Sequence, residues 1–238
     1  MAKVHAGTSG WAYSSWKRGF YPPKLGSANF LNYYATRLNS VEVNYTFTNS
    51  LTKELANKWI EATPVDFHFA VKAHQSITHF QRLRAARGMT KTFLASLNPF
   101  LAAKKLGPVL FQLPPNFKYD LKRLEGFLAG LPQPMPVAFE FRHPSWFVDE
   151  VFAALHKANV ALCLAESDKL QTPDVQTADF FYLRLRKEKY SPTARTQVSR
   201  RVAEFARRGD VFVYFKHEDT PEGALYAESL LRDATGPD

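Results

Sequence analysis

The chain has 238 residues, 45% hydrophobic and 22% charged, and a formal net charge of +9 at pH 7. That length suits one large domain over residues 1–238, and no apolar run approaches the roughly 20 residues a membrane helix requires, so no membrane partner is expected. The N-terminus moves straight into strand-like sequence without a signal region, and the single Cys163 excludes an internal disulfide, which together point to the cytoplasm.

Short apolar runs alternate with longer helical patterns, the arrangement of repeated βα units around a parallel sheet. The first run, 4–8, leads into a long loop at 10–28 that carries Trp11, Tyr13, Trp16, Phe20 and Tyr21. That loop reads either as a hydrophobic lid or as a platform for stacking a base or a sugar. Run 40–45 precedes a helical pattern over 50–62, and run 67–72 precedes a second long loop, 73–88, and a helix over 90–104. Runs 108–112 and 137–141 are followed by helices over 119–130 and 147–159. After run 160–164 the segment between Glu166 and Phe180 is too short and polar for a full helix, so a loop or single turn is expected there. Runs 180–185 and 211–215 close the series, each with a helix behind it, over 193–208 and 222–234. Eight runs with no Gly-rich dinucleotide turn predict an α/β fold: a closed eight-stranded parallel TIM-type barrel, with the sixth connection lacking a full helix.

The basicity is regional. Residues 67–119 hold eight Lys and Arg and no acid, and residues 184–208 hold nine against Glu188 and Glu204. Such a field favours an anionic small molecule or nucleic acid as partner.

Alternation along a strand assigns residues two apart to one face. It pairs Glu42 with Asn44, Glu140 with Arg142, and Arg184 with Arg186, and it groups His68, Ala70 and Lys72. With Thr8, Gln112, Glu166 and Lys216 at comparable strand ends, a polar face is expected at the barrel mouth, with Trp11 and Trp146 completing the pocket. Glu140 is the candidate base or metal ligand, Glu42 a second carboxylate, and His143 or His79 the proton carrier. Lys72, Arg142, Arg184, Arg186 and Lys216 are the candidate anion binders, because guanidinium and ammonium groups suit phosphate oxygens. The carboxylates also admit a divalent metal. There is no G-x-x-x-x-G-K-[ST], H-E-x-x-H or G-x-S-x-G motif and no paired cysteine, so zinc is not expected.

Several motifs occur in order along nearly the whole chain: Gly7-Thr8-Ser9-Gly10-Trp11, Phe20-Tyr21-Pro22, Val41-Glu42-Val43-Asn44, Ile77-Thr78-His79, Gln112-Leu113-Pro114-Pro115 and Glu140-Phe141-Arg142-His143-Pro144-Ser145-Trp146. This set resembles the YecE-like family, domain of unknown function number 72. The resemblance implies a TIM-type barrel and brings no catalytic residues with it. The chain departs from the family pattern at Arg184-Leu185-Arg186-Lys187 and at Phe215-Lys216-His217-Glu218-Asp219, where its mouth is more basic.

The leading expectation is a hydrolase acting on a phosphate-bearing substrate, nucleic acid included. Two rivals stand beside it. One is a non-catalytic nucleic-acid or phosphometabolite binder; the other is a glycoside hydrolase using two of Glu42, Glu140 and Glu166 as its acid and nucleophile.

Overall fold

The computed structural model describes residues 2–84, 87–166, 170–187, 189–216 and 219–235. Eight parallel strands, β1 (Val4–Thr8), β2 (Ser40–Val43), β3 (His68–Lys72), β4 (Leu106–Gln112), β5 (Val137–Glu140), β6 (Ala161–Glu166), β7 (Phe180–Leu185) and β8 (Asp210–Phe215), pair in the order β1-β8-β7-β6-β5-β4-β3-β2. The ring closes between β1 and β2 through a parallel bridge, Ser9 to Glu42. This is the TIM-type barrel expected from the sequence.

Side chains supply most of that last seam. The Tyr34 hydroxyl, from helix α1 (Phe30–Ala35), accepts the Thr8 N–H at 2.8 Å and donates to the Ser40 carbonyl at 3.0 Å. The Asn39 amide likewise accepts from Ala6 N–H and donates to the Val4 carbonyl, both at 2.9 Å. These bonds satisfy buried backbone groups that a regular ladder would otherwise pair. Gly7 lies in the seam because any Cβ there would sit 1.9 Å from the Ser40 carbonyl oxygen.

The remaining helices, α2 (Lys53–Glu61), α3 (Arg87–Ser96), α4 (Asn98–Ala102), α5 (Leu121–Leu128), α6 (Asp149–Lys157), α7 (Pro192–Phe205) and α8 (Glu222–Thr235), form the outer ring. Their starts are chemically marked. Thr52, Asp120 and Ser191 each accept a first-turn N–H, and Pro192 occupies the first turn of α7. The single helix expected over 90–104 is two, α3 and α4, because Pro99 opens a new helix rather than continuing one. At six residues, α1 is too short to show a helical period and was not expected. The sixth connection has no helix among its described residues 170–179. It runs back along β6, where the Thr177 hydroxyl accepts from Leu162 N–H and donates to the Val160 carbonyl.

Strand alternation sorts the core into two parts. Val41, Val43, Phe69, Val71, Phe111, Phe139 and Leu183 pack outward against the helices. Ala70, Leu110, Ala138, Cys163, Tyr182, Phe212 and Tyr214 fill the barrel. At the N-terminal end of the barrel His5 stacks on Phe212, with centroids 4.4 Å apart, and meets His68 edge-on. Burial first, then the neighbouring His68, lowers the His5 pKa to about 4. The aromatic loop is core rather than platform: Trp16, Phe20 and Tyr21 are buried, and Tyr21 stacks on Phe30 at 4.3 Å.

Candidate functional site

At the C-terminal end of the strands, three charged side chains form a buried floor. Arg184 is 2% exposed and Glu42 is fully buried. The guanidinium donates through Nη2 to Glu42 Oε1 at 2.6 Å and through Nη1 to Glu140 Oε2 at 2.5 Å. Ser9 Oγ and Tyr182 Oη, both at 2.7 Å, donate to the two oxygens of Glu42. Gln112 Nε2 donates to Glu140 Oε2 at 2.9 Å, and Arg186 approaches the same oxygen at 3.3 Å. Every one of these bonds to Glu140 falls on Oε2. Burial alone would lower the Arg184 pKa, but Glu42 and Glu140 outweigh it and hold the guanidinium above its ordinary value.

Alternation explains the convergence. Glu42 stands two residues beyond Ser40, Glu140 two beyond Ala138, Gln112 two beyond Leu110, and Arg184 two beyond Tyr182; all of these inner residues are buried. β4 and β5 place Gln112 beside Glu140 in register.

Further cations border this floor. Lys72, two residues beyond Ala70, is 9% exposed, and its ammonium lies over the Phe47 ring, 3.9 Å from the centroid. The turn Tyr45–Phe47 that carries this ring is tied to β3 by Thr46 Oγ1 donating to the Lys72 carbonyl at 2.7 Å. Burial first, then Arg184, lowers the Lys72 pKa to about 8 against the opposing pull of Glu42 and Glu140. His79 sits in a π-helical turn, Ser76–Phe80, with its ring edge-on to Phe47 at 5.0 Å. Its pKa is lowered by burial, then by Lys72 and Arg142. Positive φ at Arg82 and Leu83 turns the chain sharply just after it. Lys216 and Arg142 are exposed at the rim.

Several expectations need correction. Thr8 faces outward onto Tyr34, and its neighbour Ser9 is the residue that reaches Glu42. Glu166 also faces outward, since Ala161 and Cys163 hold the inner positions of β6; it pairs with Lys187 and Arg201 on the helical side. Trp146 is core: fully buried, stacked on Phe141 at 4.7 Å, with its indole N–H donated to the Phe117 carbonyl. Trp11 packs edge-on against Trp59. Arg142, past the end of β5 at Glu140, is exposed, and its charge bears on His79 beside the same mouth. Arg184 is not an open anion binder, because both terminal nitrogens are bonded to carboxylates. His143 caps the turn that follows it, its Nδ1 accepting from Ser145 N–H. Asn44, two residues beyond Glu42, has a buried Oδ1 that meets no protein donor. Ser9, Tyr182 and Phe47 were missed; Tyr182 could have been found from its two-residue spacing to Arg184. His217 and Glu218 lie outside the described residues. Among the described residues no group of three or more His, Cys, Asp or Glu side chains could hold a metal ion. No helix among them is long and apolar enough to cross a membrane.

The fold and this mouth define a β/α-barrel protein with a buried, ion-paired polar floor at the C-terminal end of its strands. The family model described as protein of unknown function DUF72 matches residues 5–237, and the chain belongs to that family. It is 34% identical over 151 residues to UPF0759 protein YunF of Bacillus subtilis (60% of this chain, 52% of that protein). It is 32% identical over 145 residues to UPF0759 protein YecE of Escherichia coli K12 (60% and 50%). The chain spans about half the length of the curated relatives it matches. A DUF72 family protein from Thermotoga maritima superposes with a TM-score of 0.85 at 25% identity, covering 96% of this chain and 97% of that one. Another, from Enterococcus faecalis, gives 0.78 at 18% identity, covering 100% and 99%, and at that identity speaks to the fold alone.

Proposed function

We propose that the mouth receives the phosphate of an anionic ligand, nucleic acid or a phosphorylated small molecule, and that the protein acts on that ligand as an enzyme, with phosphoester hydrolysis the first reaction to assay. One observation carries this reading: Glu42 and Glu140 are both bonded to Arg184, while Lys72, Arg186, Arg142 and Lys216 add positive charge around them. The buried Nε–H of Arg186 meets no protein acceptor, which supports an acceptor-rich ligand. Glu140 Oε1, outside the bonds that converge on Oε2, is the candidate acceptor of a proton.

The arrangement weighs against the glycosidase reading. A glycosidase needs two carboxyl groups facing each other across the scissile bond. Here a guanidinium stands between Glu42 and Glu140, and Glu166 is outside the barrel.

The test is twofold. Fluorescence anisotropy with labelled single-stranded and duplex oligonucleotides across a salt series measures binding, and turnover of bis(p-nitrophenyl) phosphate with and without divalent cations measures hydrolysis. Salt-sensitive binding with turnover lost in Glu140→Gln is expected. Binding without turnover leaves a non-catalytic binder, and neither binding nor turnover refutes the reading.

A further inference from the structure

We propose that Lys72 is a nucleophilic amine that forms a Schiff base with an aldehyde or ketone carried by a phosphate-bearing ligand in the mouth. The inference rests on the anion-binding reading above and names the substrate class for that site.

The geometry sets Lys72 apart from a structural lysine. Lys105 is buried too, but its ammonium donates to the Ile60 carbonyl, the Thr63 carbonyl and Thr63 Oγ1 at 2.7–2.9 Å, using all three N–H bonds. Lys72 reaches the mouth from the end of β3 and rests its ammonium on the Phe47 face, while the nearby carboxylates are taken up by Arg184. A cation over an aromatic face is stabilised without a proton acceptor, and an iminium gains from that contact as an ammonium does. With a pKa of about 8, near a tenth of the amine is unprotonated at pH 7, on the order of a few hundredfold more than for an ordinary lysine. The charged groups that bear on it are Arg184 and Lys216, which disfavour its proton, and Glu42 and Glu140, which favour it.

The step balances as follows. The neutral Lys72 amine adds its lone pair to the carbonyl carbon, forming a C–N bond, and the carbonyl π electrons pass to oxygen, which takes a proton. Loss of that oxygen as water, with one N–H proton, forms the C=N bond of the iminium, so amine, carbonyl and the one proton taken up by the oxygen yield iminium plus water, with charge conserved and no change of oxidation state. His79, edge-on to the same Phe47 ring and with its pKa lowered by burial, is the adjacent group able to take the proton the ammonium must lose.

The test treats the full chain with glyceraldehyde 3-phosphate or with glyceraldehyde, in the presence of cyanoborohydride, which reduces an imine to a stable secondary amine. Peptide mapping then locates the adduct, with Lys105 and the exposed lysines as internal references. Labelling at Lys72 tens of times faster than at the reference lysines is expected, faster for the phosphorylated aldehyde and slowed by inorganic phosphate. Lys72→Arg and Lys72→Met should lose that adduct. Equal labelling of Lys72 by both aldehydes, insensitive to phosphate, would uphold the amine chemistry and defeat the anion reading. Phosphate-sensitive binding with the adduct scattered over exposed lysines, Lys72 no faster than Lys105, would overturn the proposal and leave the anion reading standing.

Discussion

Replacing Arg184 by Gln tests whether the floor of the mouth is held by its ion pairs. The substitution removes two charge-assisted bonds, of 2.5 and 2.6 Å, and leaves Glu42 and Glu140 facing each other in a buried layer. Removing one partner of a buried ion pair costs about 3–5 kcal/mol, and here two carboxylates lose theirs together. Against a domain stability of about 5–15 kcal/mol, that is a large fraction. Ser9, Tyr182 and Gln112 still donate to the carboxylates and soften the loss. Urea denaturation at pH 7 should therefore show Arg184→Gln destabilised by about 3–5 kcal/mol. The triple variant Arg184→Met/Glu42→Gln/Glu140→Gln should recover most of it, because neutral groups replace the stranded charges. A loss below about 1 kcal/mol, the range of exposed pairs, would refute the reasoning, as would a triple variant no more stable than the single one.

Three other outcomes follow from the geometry. The His5 pKa of about 4, against an ordinary 6.5, means the unfolded state binds more protons between those values, so stability is full above 6.5 and lost as pH falls toward 4. The contribution is about 3 kcal/mol, and His5→Phe should flatten the acid limb of stability measured by urea midpoints between pH 7 and 4.5; an unchanged limb would place the titration elsewhere. Cys163 is fully buried inside the barrel, and burial followed by Glu140 raises its pKa, so a thiol reagent should label it only after denaturation. Rapid labelling of the native protein would contradict the placement of β6. Arg186→Gln should weaken oligonucleotide binding and flatten its salt dependence by about one unit, against a slope near −0.9 per phosphate contact; an unchanged slope would move the contact to the outer surface.

The barrel was legible because each strand announces itself as an apolar run of the right length, and within a strand the two-residue period carries the inner face reliably. Lys72, Gln112, Glu140 and Arg184 all stand two residues beyond an inward-facing core position, so alternation brought them together correctly. It failed where the pleat starts or stops. In β1 a one-residue shift exchanged Ser9 for Thr8, because the small residues around Gly7 give no hydrophobic contrast to set the phase. At Glu166 the inner positions belong to alanine and cysteine, so the strand looks equally apolar on both sides. Beyond Glu140 the chain leaves the sheet, and Trp146, in the turn that follows, does not obey the period. The role of Phe47 under Lys72 depends on a turn docking against the next strand, a long-range contact with no local signature. Nor could the sequence reveal that Arg184 would be consumed by two carboxylates from strands 142 and 44 residues away.

The claim that the mouth is a phosphate site is tested most directly by anomalous diffraction from crystals soaked in tungstate, a heavy tetrahedral oxyanion that stands in for phosphate. An anomalous peak above the Glu42–Arg184–Glu140 floor, within contact of Arg186 and Lys72 and lost in the Arg186→Gln variant, is the predicted result. Tungstate bound only on the outer helical surface, with none at the mouth, would contradict the account.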